Sequence, residues 1–594
     1  MNCKNLKIKG EKEKMKLDLK LKEIKKSYLN QKGITLIALV VTIVVLLILA
    51  GVSINALFGN NGIISRAKDT KKVTNLSSLK EEIGIVIQSR NINKMAGLPV
   101  GSFKEELENG ISGNKTVEAI GNIGDTCYVT REEATVTVYD NGDIIDGKAD
   151  IWDGTNKNKP TADKSKNWHI YTPEEMKYFE EFVNGKLTEE EKEGLEITDS
   201  TIVYLENDID MGARQENGVL TAGTAWDPIG KDDIGKFTGT FEGNNHTVKG
   251  IYVKKDGNRA GLFGNSDTIQ NLTIADSYIE ATGSVVGGIV GALREGSIVN
   301  CNNMKTDVIS TGGEITVAGV AVSVGGIVGQ FGTSNVAGNN IINCTNTGDV
   351  KAKAVSVGGI AGVFTGKKIE NCVNKGAING GIENSNGQLG GIVGLTKTGT
   401  IISCKNEGKV ISAGILNGGI VGTIPKECSV MIEKCINKGT IQGNGRDNGG
   451  ICGAIYDNSS STIKNCYNLG NVIEEASNVS DVSGIISCIN QGFTGTISNN
   501  YNLGKIIIKG QNVKGIGGVI GYLSATNTEN ATIKNNYYKQ GIVENADNDY
   551  GESKTEAEMK TEEFLALLNA DQETPVWELN PSKNNGYPSL IGVD

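Results

Sequence analysis

Apolar and polar positions follow a pattern that repeats along the central half of the chain. A block of two glycines, two apolar residues and a glycine recurs about every 33 residues, and a block built around Asn-Cys follows each copy. Each unit offers short apolar segments between glycine and asparagine turns, which is typical of short strands. One unit cannot bury an apolar face alone, but stacked units can, in ladders about 4.8 Å apart. The sequence therefore predicts a mainly β fold, a parallel β-solenoid of about eight ~33-residue repeats with helical caps.

The copies of the glycine block are easily located in the sequence. They begin at Gly287, Gly325, Gly358, Gly390, Gly418, Gly449, Ser483 and Gly517. Asparagines at matching positions of successive units predict stacked side-chain amides. A β-propeller is the competing topology, but a blade needs four strands in about 40–50 residues. These units are shorter, and aromatic residues make up only 5% of the chain, which favours the solenoid.

The ends of a solenoid need caps, and the sequence predicts a helix at each end. Residues 172–184 begin with Thr172 and Glu175 at the spacing of a capping box, and an apolar stripe follows. Residues 561–569 predict a second helix, with Trp577 behind it. We expect the first helix to close the upstream end of the solenoid and the second to close the downstream end.

The N-terminus combines a basic segment with a long apolar run. Residues 1–33 carry 11 lysines and 4 acidic residues, whereas residues 34–54 carry no charge. At about 1.5 Å per residue, the apolar run spans about 31 Å, which is enough for a bilayer core. The positive flank predicts a single pass through the cell membrane, with the N-terminus cytoplasmic and the C-terminal bulk of the chain extracellular.

The junction Lys32-Gly33-Ile34, followed by the apolar run, resembles a type IV prepilin signal. This resemblance implies cleavage by a prepilin peptidase between Gly33 and Ile34, and packing with other pilin-like subunits in a surface filament. One position departs from the family pattern, because the fifth mature residue is usually Glu and is Ala38 here. The departure argues against a polymerising major pilin and leaves open a minor pilin or a protein that keeps only the anchor.

The region after the anchor predicts a helix and a small antiparallel sheet. Apolar residues recur near helical spacing across 58–90. Two segments, 127–130 and 134–139, alternate as strands, and Asn141-Gly142 is a hairpin turn signal. A helix followed by a small sheet is also the arrangement that the prepilin resemblance implies.

The repeat blocks resemble those of the GLUG-motif family of bacterial surface proteins. The match continues upstream at residues 226–230 and 260–264, and downstream at 586–590. It covers roughly residues 166–594. The resemblance implies a cell-surface or secreted protein, often adhesive, and implies no defined reaction.

Together these patterns divide the chain into seven segments. They are a basic leader (1–33), a transmembrane or pilin-like helix (34–57), a helix with a small β module (58–150), a linker (151–165), the N-terminal region and cap of the solenoid (166–286), the repeat array (287–547) and a C-terminal cap (548–594). Glycine accounts for 79 of the 594 residues and proline for only 8, which suits many tight turns between short strands.

Six of the eleven cysteines share one position of the repeat. They are Cys301, Cys344, Cys372, Cys404, Cys435 and Cys466. Disulfides or a metal site are one interpretation for a surface protein, and a ladder of buried thiols that fills the core is the other. Strands in register place neighbouring side chains parallel, a poor geometry for a disulfide, and no Cys-x-x-Cys motif supports a zinc site. We expect a structural thiol ladder.

Other candidates for catalysis or cofactor binding are few. Two histidines, His169 and His246, cannot build a histidine-rich metal site, and no phosphate-binding glycine motif occurs. The acidic groups at 206–210 and 547–552 match no calcium-binding motif, so solvated turns are expected there. The net charge of −10 argues against nucleic acid as a partner. The sequence predicts no catalytic, cofactor-binding or metal-binding residue.

The sequence therefore predicts a non-enzymatic, membrane-anchored surface protein that binds a glycan or a protein. The first alternative is a minor pilin or pseudopilin of a type IV pilus or type II secretion-like system that carries the solenoid as a tip domain. The second is a polysaccharide-active enzyme on a β-helix. Residues 34–54 are the predicted membrane contact, and a surface filament or a secreted form is the alternative location.

Overall fold

The computed structural model describes residues 67–594 apart from short gaps. The longest gaps are at 121–125, 333–338 and 381–386. The predicted leader, the apolar helix at 34–57 and the cleavage site after Gly33 lie outside the described residues. Among the helices of the described part, none combines the length and the apolar character that a membrane crossing requires.

The chain separates into two units between Ser78 and Leu79, and the contacts described below are those of the second unit. Two helices and a four-stranded antiparallel sheet, here called the head module, precede the solenoid. The helices are α1 (Ala67–Met95) and α2 (Phe103–Gly110), and the strands follow in the order Lys115–Ile120, Thr126–Arg131, Ala134–Tyr139 and Ile144–Asp146. Both predicted strands are present, and an ion pair of 2.7 Å between Arg131 and Glu82 ties the sheet to α1.

The rest of the chain is a parallel β-solenoid of about eleven turns. A typical turn contributes strands to four faces, and each strand pairs in register with its counterparts in the turns before and after. Branched apolar side chains from all four faces fill one continuous core. Before the C-terminal segment, three short antiparallel hairpins of the described residues leave this pattern, at Thr161–Ala162 with Trp168–Ile170, Arg214–Glu216 with Val219–Ala222, and Thr316–Val317 with Val320–Ala321.

Most strands of face 1 end at the first of the paired glycines of the repeat. Its strands are Arg259–Ala260, Val285–Gly287, Ser323–Gly325, Ser356–Gly358, Gln388–Gly390, Leu416–Gly418, Asn448–Gly449, Ser480–Ser483 and Lys514–Gly517. Face 2 is the longest and begins with single strands. These are Trp168–Ile170, Ile202–Leu205, Phe237–Glu242 and Phe263–Gln270.

In the later turns, face 2 is made of two consecutive strands. The pairs are Val290–Leu293 with Ile298–Val299, Val328–Phe331 with Asn340–Ile342, Ala361–Phe364 with Lys368–Glu370, Val393–Thr396 with Thr398–Ile402, Val421–Ile424 with Ser429–Glu433, Cys452–Ile455 with Thr462–Lys464, Ile486–Ile489 with Thr496–Ser498, and Ile520–Leu523 with Thr532–Lys534.

Faces 3 and 4 complete each turn. The strands of face 3 are Ile209–Asp210, Thr247–Lys249, Thr273–Ala275, Asn302–Met304, Thr345–Asn346, Val373–Asn374, Lys405–Asn406, Ile436–Asn437, Tyr467–Asn468, Tyr501–Asn502, Tyr537–Lys539 and Glu552–Lys554. Those of face 4 are Tyr252–Lys255, Tyr278–Ala281, Asp307–Ser310, Val350–Ala352, Ile378–Gly380, Val410–Ser412, Ile441–Gly443, Val472–Glu474 and Ile506–Ile508.

The turn count exceeds the eight predicted repeats, because the solenoid begins upstream of the first glycine block. Residues 202–286, assigned to the N-terminal region and cap, form complete or nearly complete turns. Large aromatic side chains fill the core of these turns, with the rings of Phe241 and Phe263 5.2 Å apart. The early turns therefore lack the glycine and aliphatic signature by which the later ones are recognised.

The paired glycines let the corner between faces 1 and 2 approach the next turn. A Cβ atom on Gly391 would lie 2.1 Å from the carbonyl oxygen of Gly419 and 2.3 Å from Cγ of Asn406. Only glycine fits such a contact. The repeated glycine block thus records a steric requirement that recurs at every corner.

A ladder of buried asparagine amides runs inside face 3, as the sequence predicts. Nδ2 of each asparagine except the last donates to Oδ1 of the asparagine in the next turn, at 2.7–2.9 Å. The members are Asn346, Asn374, Asn406, Asn437, Asn468 and Asn502. The second amide hydrogen goes to the carbonyl oxygen two residues downstream in the same turn, as from Asn406 to Gly408 at 2.9 Å. These bonds satisfy side chains that have no access to water.

Helix α3 (Pro173–Val183) closes the upstream end of the core. Thr172 and Glu175 form the predicted capping box, and the short helix α4 (Glu189–Lys192) follows. Phe179 is fully buried and its ring lies 5.2 Å from that of Phe237 in the first turns. The helix thus supplies the apolar cover that the first turn would otherwise lack.

The C-terminal segment covers a side of the solenoid instead of its end. Helix α5 (Glu562–Leu568) and the hairpin Trp577–Glu578 with Ser589–Leu590 pack on the outer side of face 3. The outward positions there are occupied by Ile436, Tyr467, Tyr501 and Tyr537. Helix α5 and Trp577 pack on this apolar stripe and remove it from water. We call α5 and the hairpin that contains Trp577 the lateral cover.

The downstream end is closed by another segment. Residues 540–544 follow the last complete turn at this end, and Ile542 is only 4% exposed. Its carbonyl oxygen accepts a hydrogen bond of 2.8 Å from the backbone N–H of Ile506. These residues carry no helix. The helix α5, which the sequence predicted as the downstream end cap, lies on the outer side of face 3 instead.

Candidate functional site

The six repeat cysteines form one column inside the core. All six are buried and free, and none of the ten cysteines in the described part of the chain forms a disulfide. Each Sγ lies 3.2–3.3 Å from the carbonyl oxygen two residues before it. Burial raises the pKa of the Cys301 thiol to about 12, so that thiol stays protonated at neutral pH. The column fills space in the core.

Two asparagines continue the cysteine column in the last turns. The backbone N–H of Cys466 donates to Oδ1 of Asn500 at 2.9 Å, and Nδ2 of Asn500 donates to Oδ1 of Asn536 at 3.0 Å. The position therefore accepts any small side chain that can satisfy its polar atoms inside the core.

The acidic residues at 206–210 do not act as one group. Glu206 pairs with His169, whose Nδ1 lies 2.6 Å from a carboxylate oxygen, and Asp208 lies 3.2 Å from Nδ1 of His246. Both histidines are partly exposed, with 24% and 33% of the side chain accessible. Each histidine has a carboxylate partner from a neighbouring turn, which the chain order alone does not reveal.

The prediction of a solvated turn is wrong for Asp210. This residue is 3% exposed and holds Arg214 with two hydrogen bonds of 2.9 and 3.1 Å, one to each carboxylate oxygen. A hydrogen bond of 3.4 Å from Arg214 to Thr126 continues this pair into the head module. Of the other acidic group, positions 547 and 549 lie outside the described residues.

A cavity near these groups lies between the head module and face 3, and we call it the module cleft. Its volume is about 810 Å³, within the range of ligand pockets. The head module contributes Tyr139 and Asp146, and the first turns of face 3 contribute Asp208, His246 and Asp276. A neighbouring cavity of about 330 Å³ shares Tyr139 and Asp276 with it.

One strong contact fixes the two walls of the module cleft. The ammonium of Lys249 lies 3.2 Å from the centre of the Tyr139 ring, a cation–π contact between face 3 and the head module. Burial raises the pKa of Tyr139, so its hydroxyl remains neutral. Tyr171 and Asp276 at the rim of the cleft are exposed.

The sequence pattern does not indicate the module cleft, since its walls come from segments as far apart as Tyr139 and His246. The spacing of Asp208 and His246 was the available signal, because 38 residues is close to one turn of this solenoid. Without the register of the first turns, that spacing has no meaning.

Comparisons with known proteins give limited matches. No protein-family model matches the chain. The chain is 34% identical to Halomucin of Haloquadratum walsbyi over 119 residues, which is 19% of this chain and 1% of Halomucin. It thus spans a very small part of that relative. A crystal structure from Bacteroides ovatus, described as "a putative immunoglobulin A1 protease", covers 73% of this chain and 95% of its own, with 18% identity and a TM-score of 0.33.

Glu474, at the end of a face 4 strand, should make stability depend on pH. Its side chain is buried, it accepts hydrogen bonds from Asn448 and from the backbone of Ala476, and burial raises its pKa from 4.5 to about 7. Because the folded state then holds a proton that the unfolded state has lost, stability is full below about pH 4.5 and falls as pH rises through 7. We expect a loss of up to about 3 kcal/mol between pH 4.5 and pH 8.

The variant Glu474→Gln isolates this effect. Thermal unfolding of the native chain and the variant, measured from pH 4.5 to 8, should show a smaller decline of Tm in the variant. Glu475→Gln is the matched control, since the neighbouring side chain is 28% exposed and pairs with Lys509. Equal pH profiles for the native chain and Glu474→Gln would contradict the prediction.

Proposed function

We propose that this protein is displayed at the cell surface and binds an extracellular ligand in the module cleft. The observation that carries the proposal is the cleft itself, an open cavity of about 810 Å³ with fixed walls and a rim of exposed polar and aromatic side chains. The similarity to Halomucin over 119 residues supports a surface repeat protein.

The lining favours an oligosaccharide over a protein. Carboxylates and an imidazole can accept and donate hydrogen bonds to hydroxyl groups, and the exposed ring of Tyr171 offers an apolar face. Pockets that combine apolar surface with a few placed polar groups are typical of small-ligand sites. A glycan terminus of two or three sugars is therefore the ligand class that we propose.

Attachment to the membrane is proposed through residues 34–54, and the minor pilin remains the main alternative. The head module favours the minor pilin, because its helices α1 and α2 are followed by a small antiparallel sheet. Mass and N-terminal sequence of the native protein from membranes and from sheared surface material distinguish the two. A chain that begins at Ile34 in the sheared fraction supports the pilin. An intact leader confined to membranes supports the simple anchor.

A glycan array probed with the full-length chain tests the binding proposal, and two rim variants localise the site. Tyr171→Ala and Asp276→Asn should each raise the Kd for a glycan hit by at least about tenfold, equivalent to 1.4 kcal/mol. Tyr522→Ala is the matched control for the ring, because both tyrosines are 45% exposed. Asp571→Asn is the control for the carboxylate, since Asp571 is also exposed with a positive φ.

The same assay separates the proposal from its rivals. Binding that Tyr522→Ala weakens as much as Tyr171→Ala does would place the ligand elsewhere. Release of shorter sugars during incubation would favour the polysaccharide-active enzyme. If the array gives no hit and the native protein carries no bound glycan, the proposed ligand class is wrong.

A further inference from the structure

A second group of reactive side chains lies far from the module cleft, where faces 1 and 2 meet. Asp447 directly precedes the strand Asn448–Gly449, and Asp481 lies in the next strand of face 1, Ser480–Ser483. The register pairs Asn448 with Val482, so the two aspartates occupy the same position in successive turns. Cys488 lies in the face 2 strand that follows Asp481. One carboxylate oxygen of each aspartate and Sγ of Cys488 lie within 4.8 Å of one another.

Within this cluster, Asp447 has a carboxylate oxygen that is buried without a hydrogen-bond partner in the part of the chain that the structure describes. Only 6% of its side chain is exposed, and Oδ1 accepts no hydrogen bond from any described residue. Its other oxygen lies 3.4 Å from Nε of Arg446, whose side chain is half exposed. A carboxylate oxygen that is removed from water without a partner is costly, and such atoms are rare in native structures.

The surroundings of the cluster raise the free-energy cost of holding these side chains together without a bound cation. The carboxylates of Asp447 and Asp481 are like charges that lie close together, and Asp447 is buried. Cys488 is 8% exposed. A bound cation would compensate two carboxylates and a thiolate at once, since a coordinated thiol is deprotonated. Asp481 is only partly buried and leaves a route from solvent.

The donor set narrows the class of cation. Calcium and magnesium prefer six or more oxygen ligands, whereas two oxygens and one sulfur suit zinc and similar divalent transition metals. In a tetrahedral zinc site the ligand atoms lie about 3.3–3.8 Å apart, so the three atoms would need to close by about 1 Å. Three protein ligands leave a fourth position for water, and Asp481 on the solvent side leaves room for it.

We propose that Asp447, Asp481 and Cys488 bind one zinc-class divalent metal ion at the corner between faces 1 and 2. The cysteine differs from those of the thiol column. Cys488 pairs in register with Ala454 and Tyr522, an outward position, whereas Cys466 and its counterparts lie inside the core. The proposal does not depend on the glycan function of the module cleft.

Cobalt(II) titration of the full-length, reduced protein tests the site. We expect one equivalent of Co²⁺ to produce a thiolate-to-metal charge-transfer band, and Zn²⁺ to abolish it by competition. Cys488→Ala should remove the band, and Asp447→Asn should weaken Co²⁺ binding at least tenfold. Asp447→Asn keeps the size and shape of the side chain, so this variant should fold even where the cysteine variant does not.

Cys452→Ala is the matched control, since Cys452 is a buried face 2 cysteine one turn before Cys488 with its side chain in the core. It should leave the band unchanged. The proposal is overturned by a native protein that gives no band. It is equally overturned by a band that survives Cys488→Ala or by Asp447→Asn with unchanged affinity.

Discussion

Asn406→Ala is expected to lower the free energy of unfolding by about 3 kcal/mol, although the residue touches no ligand. The amide of Asn406 makes three hydrogen bonds, to Asn374 and Asn437 in the neighbouring turns and to Gly408 in its own turn, at 2.8–2.9 Å. All four groups are buried. The substitution leaves the carbonyl oxygen of Gly408 without this donor and interrupts the amide ladder between Asn374 and Asn437.

Hydrogen exchange is the suitable measurement for Asn406→Ala, because a repeat protein need not unfold in one step. Protection should fall most in the turns that contain residues 374, 406 and 437, and the denaturant midpoint should fall with it. Glu407→Ala is the control, since the adjacent side chain in the same turn is exposed. A loss spread evenly over the solenoid, or equal losses in both variants, would show that the ladder does not carry the stability.

Trp577→Ala should release the lateral cover at a cost of about 3–5 kcal/mol. The indole is 1% exposed, its ring lies 5.3 Å from that of Tyr501 and 5.9 Å from that of Tyr467, and its Nε1 donates to Asn465 at 3.2 Å. Truncation removes the largest apolar contact of this cluster and leaves the tyrosine stripe of face 3 open to water. We expect the solenoid to remain folded, because its hydrogen-bonded ladders do not involve the cover.

Limited proteolysis measures this release directly. The variant should be cut within residues 555–594 much faster than the native chain, while a resistant fragment that ends near residue 550 persists. Leu567→Ala is the control, because this α5 side chain is 39% exposed. Rapid digestion of the whole solenoid in Trp577→Ala would mean that the cover is part of the core and that the division described here is wrong.

The features that were predicted best from the sequence are those that recur in every turn of the solenoid. The residue before each column cysteine has a positive φ near 53°, at Asn300, Asn343 and Asn371 among others. Asparagine tolerates this backbone region better than most residues, so the Asn-Cys blocks record one tight turn and one buried thiol per repeat. Steric and hydrogen-bonding requirements that recur in every turn leave a periodic signal, which can be read without a structure.

Features that occur once were not predictable in this way. The module cleft joins Tyr139 to His246, and the lateral cover joins Trp577 to Tyr467, and neither contact repeats. Their positions depend on where the head module and the C-terminal segment fold back onto face 3. The acidic pair of Asp447 and Asp481 was hidden for a related reason, because it needs the register of two particular strands. Most of the fold is therefore encoded locally, whereas the candidate sites arise from long-range docking.

The in-register ladders also determine how this molecule responds to tension. Hydrogen bonds between successive turns run along the solenoid axis, so a pull between its two ends loads them one turn at a time. The turns should then peel off singly at low force and lengthen the tether in equal steps. A load across the axis would strain many bonds together and meet far greater resistance. A protein anchored at one end would thus act as a compliant spring along its length and as a stiff rod against sideways shear.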